Sequence, residues 1–414
     1  MTSKDFLPKY SNLKVDKNTL VFKLSGDEKY GLDKSIVNGI RRTLLTDINS
    51  VAFDPENIII EKNTGSLHNE FLKHRISLIP LYIDPDTYNY SLLFELKVEM
   101  NDDTTMNVYN SDFNIYPLKN EYIDAVKNND IPTIEMLQNI DKNYYNLNNP
   151  ISNAEKKKIF KPFRFADTDN YMLITELKTT ESESDKQTIN LYAVPNVGTT
   201  RVHSRHNNLP TVVYTFTKDD TAFADHLKEM HIIDKVKDSN KPQYNTSLEL
   251  KESERYFLRD MNDLPYSYDF KIQSNHYSDS SVVYKKSLDI LIGRLQHIGE
   301  QLEILANKPE ESIFSYDNFK GDLSYQIIML KEDDTTGNII QSHMANKFLD
   351  LDSTIQVCGY KKPHPLTELI IFNIMIKPGN YTELQKRTYI VKTFSDVCKD
   401  LIDIFGILKS EFKL

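Results

Sequence analysis

Three features of this 414-residue chain have residue types suited to chemistry: two histidines around a glutamate, an acidic run, and a pair of cysteines. His68 and His74 flank Glu70. A zinc-binding helix needs two histidines one turn apart, with a glutamate between them as base, and H-x5-H departs from that spacing. The run Glu332-Asp333-Asp334 could attract a cation, but acids at a helix start also cap free N–H groups and complement the helix dipole. Cys358 and Cys398 stand outside any CxxC pair, which argues against a disulfide framework or structural zinc and fits a reducing compartment. Gly65 and Gly198 are isolated rather than parts of a phosphate-cradling loop, and no Asp-x-Asp-x-Asp run exists for two-metal nucleotidyl transfer. The sequence therefore offers no catalytic, cofactor-binding or metal-binding residue.

Composition narrows the classes further. With 39% hydrophobic and 27% charged residues, the chain reads as two or three globular domains. A formal net charge of -10 opposes free-standing nucleic-acid binding, which needs clustered Lys and Arg. No apolar run reaches the ~20 residues that span a bilayer, and no signal peptide is expected.

The elements that would position any site are clearer. Asp33 N-caps a helix in which Ile36, Ile40 and Leu44 recur every four residues, with Gly39 and the pair Arg41-Arg42 inside it. A mid-helix glycine costs about 1 kcal/mol against alanine, so a close approach to the backbone is expected there. Strands are expected near 19–24, 58–60, 92–98, 171–177, 187–192, 211–216, 266–272, 322–330 and 368–376. A helix over 67–78 should bury Leu67, Phe71 and Leu78. Two helical pieces fall between 218 and 262, 119–161 reads as an insertion, and 357–366 as a turn. Two helices carry heptad seams: Tyr284, Leu288, Leu291, Leu295, Ile298, Leu302 and Leu305, then Ile390, Phe394, Val397, Leu401, Ile404 and Leu408.

Each half thus opens on a strand and a short helix with Asn beside Gly, and closes on a heptad helix. Such narrow apolar stripes are unstable alone. The reading is an α+β chain whose halves pack as an internal pseudo-dimer through Ile36, Gly39, Ile40, Leu44, Leu288, Leu291, Leu295, Ile298, Leu302, Asn338, Ile340, Phe394, Val397, Leu401, Ile404 and Leu408.

Two long motifs then carry a resemblance. Asn38-Gly-Ile-Arg-Arg-Thr-Leu-Leu45, with Asn63-Thr-Gly-Ser-Leu-His-Asn-Glu-Phe-Leu-Lys-His-Arg-Ile-Ser-Leu-Ile-Pro-Leu81, resembles the larger partner of the eukaryotic and archaeal alpha-like heterodimer of RNA polymerase. The loop from Gly198 to His206 resembles that partner in part. Asp333-Asp-Thr-Thr-Gly-Asn-Ile-Ile340 and Cys358-Gly-Tyr-Lys-Lys-Pro-His-Pro-Leu366 resemble the smaller partner. The two partners joined in one chain, with this Asn-rich composition, are similar to polymerases of large nucleocytoplasmic DNA viruses.

The resemblance implies two dimerisation domains, the first (1–53 and 210–305) interrupted by a mainly-β domain (54–209), then a linker (306–321) and the second (322–414). It implies a non-catalytic assembly platform for the two largest polymerase subunits and small assembly subunits, with magnesium held in the large subunits, no zinc here, and DNA or RNA met only through the complex. No membrane partner and no homodimer are expected. Arg41, Arg42, Arg75, Arg201, His203 and Arg205 become candidates for contacts with other subunits, since guanidinium groups pair carboxylates in a bidentate way. The place implied is the virion and host cytoplasm for a viral chain, otherwise the nucleus. The alternative is a free-standing architectural protein outside a polymerase.

Overall fold

The computed structural model describes residues 7–16, 18–29, 31–101, 104–127, 142–165, 168–179, 186–237, 240–275, 277–318, 323–348 and 354–413. The elements begin with β1 (Lys9–Asp16), β2 (Thr19–Ser25), α1 (Lys34–Thr46), β3 (Asn49–Ala52), β4 (Ile58–Asn63), α2 (Asn69–Ser77), β5 (Leu92–Glu99), β6 (Thr105–Tyr109) and β7 (Asn114–Pro117). Next come α3 (Asn120–Lys127), α4 (Asn153–Ile159), β8 (Phe163–Phe165), β9 (Thr168–Asn170), β10 (Leu173–Lys178), β11 (Thr188–Ala193), β12 (Asn196–Thr199) and β13 (Thr211–Phe216). The rest are α5 (Asp220–Ile233), α6 (Lys241–Glu252), β14 (Ser267–Gln273), α7 (Ser280–Asn307), β15 (Ser315–Asn318), β16 (Ser324–Leu330), α8 (Asp334–Phe348), β17 (Ile355–Lys361), β18 (Leu369–Ile376) and α9 (Glu383–Glu411).

The chain forms two compact units, one of residues 1–45, 211–274 and 280–414, the other of 46–210 and 275–279. The first unit holds two antiparallel four-stranded sheets, ordered β1-β2-β14-β13 and β15-β16-β18-β17. Both follow one order: a strand pair, a short helix (α1 or α8), a second strand pair, and a long helix (α7 or α9), with α5 and α6 inserted between β13 and β14 in the first. The inner strands of the two pairs meet at the centre of each sheet, β2 with β14 and β16 with β18. Alternation sets the burial. Leu20, Phe22, Leu24, Tyr268, Phe270 and Ile272 point inward in the first sheet, and Tyr325, Ile327, Met329, Ile370, Phe372 and Ile374 in the second.

The second unit has a four-stranded sheet, β4-β11-β5-β7, and three two-stranded ones, β10-β6, β12-β3 and β8-β9. Its core includes an aromatic cluster in which Phe53, Phe94, Phe113 and Phe160 lie 5.0–6.1 Å apart. Residues 46–53 group with this unit because β3 pairs with β12.

Several local expectations fail for identifiable reasons. Residues 9–16, outside every expected strand, form edge strand β1, which buries too little side chain to show an apolar pattern. Ser315–Asn318, placed in a linker, is likewise an edge strand paired with β16. The stretch read as a turn from Val357 holds β17, with its prolines falling after the strand; a register shift between Ile355 and Val357 breaks the period-two signal. Helix α2 buries Leu72 and Ile76, while Phe71 and Leu78 are 67% and 51% exposed, because the apolar stripe is offset from the one expected. Residues 128–141 of the expected insertion and 319–322 around the expected linker lie outside the described residues. Among the described residues no helix is long and apolar enough to cross a membrane.

Candidate assembly interface

Four helices of the first unit meet as two antiparallel pairs, α1 with α8 and α7 with α9. Asp33 begins α1, accepting the backbone N–H of Ser35 at 2.7 Å, and its other carboxylate oxygen accepts from Ser342 Oγ at 2.6 Å and Asn346 Nδ2 at 3.2 Å, both late in α8. At the opposite end Arg42 Nε donates to Thr335 Oγ1 at 3.0 Å, early in α8. Between them Gly39 faces Ile339. A Cβ at Gly39 would collide with Ile339 Cδ1 and stand 3.2 Å from Cγ1, which is why the helix tolerates the least helix-prone non-proline residue there.

The long helices α7 and α9 are antiparallel as well. Asp289 pairs with Lys409 at 2.6 Å, Glu303 with Lys399 at 4.0 Å, and Arg387 donates to the Leu305 carbonyl at 2.5 Å. Leu288, Leu291, Leu295, Ile298, Leu302, Phe394, Val397, Leu401, Ile404 and Leu408 are all fully buried, and Ile36, Ile40, Leu44 and Ile340 at most 2% exposed. Gly39 is buried as well. Asn338 is the exception: it is exposed and lines a small cleft with Asn38, Arg42 and Tyr360, since its polar side chain has no place in the apolar seam. Past the seam, the end of α9 enters the first half, where Tyr10 donates to the Leu408 carbonyl at 3.2 Å and Phe412 packs 4.7 Å from Tyr284.

The polar centre of this contact escaped the sequence reading. Arg294, on α7, donates to Glu332 at 3.0 Å, Asp333 at 3.2 Å and Thr336 at 3.3 Å. Asp333 also caps α8 through the N–H groups of Thr335 and Thr336 at 3.0 and 3.4 Å. The acidic run is therefore a cap and an ion-pair partner. Burial pushes the Glu332 carboxyl above its ordinary range, against the pull of Arg294 and Thr336. On the next helix pair His343, 5% exposed, stands 3.7 Å from Asp400. One signal could have pointed here: Asp33 and Asp333 both precede an asparagine, Asn38 and Asn338, by five residues.

The six candidates for external contacts divide between the units, Arg41 and Arg42 in the first and Arg75, Arg201, His203 and Arg205 in the second. Arg41 Nε donates to Asn38 at 3.0 Å, and Arg42 turns to Thr335. In the second unit Arg75 donates to the carbonyls of Ile174 and Leu173 at 2.7 and 2.9 Å, fastening α2 to β10. Arg201 pairs with Asp47 at 2.7 Å and Arg205 with Asp54 at 2.8 Å. His203 accepts the Arg205 N–H at 3.1 Å, starting a short 3-10 turn. That turn buries His206 against Gly198, where a Cβ would fall 2.6 Å from Nε2, and burial lowers the imidazole pKa. Each of the six thus has a hydrogen-bond partner within its own unit. Among the described residues no cluster of His, Cys, Asp and Glu is arranged to hold a metal ion.

The half built on β16, α8, β18 and α9 matches a family model. Residues 324–411 match the RNA polymerase Rpb3/Rpb11 dimerisation domain. That stretch is similar to this dimerisation domain. The chain is also 33% identical over 107 residues to the DNA-directed RNA polymerases I and III subunit rpac1 of Dictyostelium discoideum, covering 23% of this chain and 29% of that protein. It is 34% identical over 76 residues to the human subunit RPAC1, covering 18% and 20%. To the archaeal DNA-directed RNA polymerase subunit Rpo3 of Methanosphaera stadtmanae it is 40% identical over 58 residues, covering 14% and 21%. These matches span less than a third of each relative's length. The matched family model and these relatives are all named for RNA polymerase subunits.

Proposed function

We propose that this chain is a non-catalytic assembly subunit of a multisubunit DNA-directed RNA polymerase in which both alpha-like partners are joined, so that the dimer on which such an enzyme is built forms within one polypeptide. The observation that carries this reading is the repeated order of strand pair, short helix, strand pair and long helix, with α1 against α8 and α7 against α9 in antiparallel pairs. A domain that dimerises needs a partner, and the first half supplies one in cis, with Gly39 at the short-helix crossing. The unit of residues 46–210 then stands as an insertion between α1 and β13. In this reading the pseudo-dimer recruits the two largest subunits, which hold the catalytic magnesium, and meets DNA or RNA only through the complex. The proposed place is the virion and host cytoplasm for a viral chain, or the nucleus for a cellular one.

Leu295→Asp with Leu401→Asp puts two carboxylates into a seam that is fully buried, and burying unpaired charge costs several kcal/mol. A tagged chain in its native cells should retrieve both large polymerase subunits by mass spectrometry, and the double variant should lose them. Retrieval of neither subunit by the unmodified chain refutes the polymerase role and favours a free-standing architectural protein. Full retrieval by the double variant refutes the interface.

A further inference from the structure

The two sheets share a topology but differ on the faces turned away from the helices. In the first sheet that face reads, row by row, Val213-Lys271-Val21 and Thr215-Asp269-Lys23. It is the mixed, solvated surface expected of an antiparallel sheet with one face on the core. The second sheet breaks that rule. Leu330 faces Leu369, Ile328 faces Ile371, and Met375 faces Val357. Leu330, Met375 and Val357 are 43%, 42% and 54% exposed. The inner face is already filled by Tyr325, Ile327, Met329, Phe372 and Ile374, with Phe372 packed 5.0 Å from Phe394 of α9. The outer face thus holds two apolar bands separated by the polar row Asp317-Gln326-Asn373.

Across the middle of this face Gln326 donates to Asn373 at 2.6 Å, and Gly359 occupies the same row. A Cβ at Gly359 would meet nothing within 4 Å, so the row ends in an open notch. Lys361 stands on the face beside Ile371, and exposed Lys331 and half-buried Lys362 lie at the adjoining strand ends. Exposed Glu368 stands at the same end beside Lys331, so this edge carries three lysines and one carboxylate, while Asp317 lies on the opposite edge strand β15.

We propose that this face docks an amphipathic helix of another polymerase subunit, its apolar stripe on Ile328, Ile371, Met375 and Val357 and its flanking carboxylates on Lys331, Lys361 and Lys362. The width fits: four strands about 4.8 Å apart make a floor about 14 Å across, and a helix is about 10 Å in diameter. A second copy of this chain is disfavoured, because a two-fold contact brings each patch against itself and sets the three lysines against their equivalents. The inference rests on the polymerase reading and names a surface that the helix seam does not use.

The test places a photo-crosslinking benzoylphenylalanine at Val357, or at Val213 of the first sheet as control, in the tagged full-length chain in its native cells. Irradiation should join position 357 to an acidic, helix-forming peptide of another polymerase subunit, with adducts at 213 about tenfold rarer. Val357→Glu with Met375→Glu, both at exposed positions, should keep the circular dichroism spectrum and weaken retention of that subunit by about tenfold or more. Normal retrieval of the large subunits with no adduct at 357, an adduct to a second copy of the chain, or unchanged retention by the double variant overturns the docking face alone. Failure to retrieve any polymerase subunit overturns the functional reading beneath it.

Discussion

Gly39→Ala tests the crossing of α1 and α8 most directly. In an open helix the change gains about 1 kcal/mol of helix propensity. Here the added methyl would overlap Ile339 Cδ1 and press on Cγ1 at 3.2 Å, with Thr335 Cγ2 at 4.0 Å beyond. Overpacking a filled core costs about 1–3 kcal/mol, so the variant should lose between about 0 and 2 kcal/mol. Ile339→Val removes the colliding Cδ1 and by itself costs about 0.5–1.5 kcal/mol. In that background the alanine should become stabilising, giving a favourable coupling of about 1–3 kcal/mol between two residues 300 positions apart in sequence. Native-state hydrogen exchange of α1 and α8 amides reads this locally, without requiring the whole chain to unfold in one step. A stabilising Gly39→Ala in the unmodified chain, or coupling near zero, would show that the two helices do not cross at Gly39.

Three further outcomes follow from buried groups. Because burial raises the folded pKa of Glu332 above its unfolded value of about 4.3, its contribution is full below that value and is lost as pH rises through the folded one. Glu332→Gln should therefore gain in urea midpoint relative to wild type between pH 4 and pH 7; a relative loss would mean that Arg294 outweighs burial. Arg294→Met strands Glu332, which is 5% exposed, and should cost about 3–5 kcal/mol at pH 7 and less at pH 4. Cys358 and Cys398 are both pushed up to about 12 by burial, so a thiol reagent at pH 7.5 should label neither until the chain is opened by denaturant. Labelling of the native chain within minutes would contradict the packing around β17 and α9.

The two heptad seams and the spacing of Ile36, Ile40 and Leu44 were legible in the sequence because helical burial leaves a periodic trace in residue type. The central strands were legible too, since alternation at Phe22, Phe270 and Phe372 is strong. Edge strands β1, β15 and β17 were not, because a strand with one neighbour and one half-buried face can use Ser, Lys, Asp and Gly with little cost. Single-sequence spacing also misplaced the buried face of α2, where Leu72 and Ile76 rather than Phe71 and Leu78 turn inward.

By itself the sequence determined the period of each element, the lack of a catalytic constellation, and the two motifs that carry the alpha-like resemblance. Only the tertiary structure decided which charges are committed. Arg42, Arg75, Arg201 and Arg205 look alike in sequence, yet each finds its hydroxyl, carbonyl or carboxylate across a fold contact. It also decided that Gly39 meets Ile339, and that one of two equivalent sheets keeps an apolar outer face. Periodicity is set by neighbours a few residues away, whereas partners come from residues tens to hundreds of positions distant, whose pairing no local pattern records.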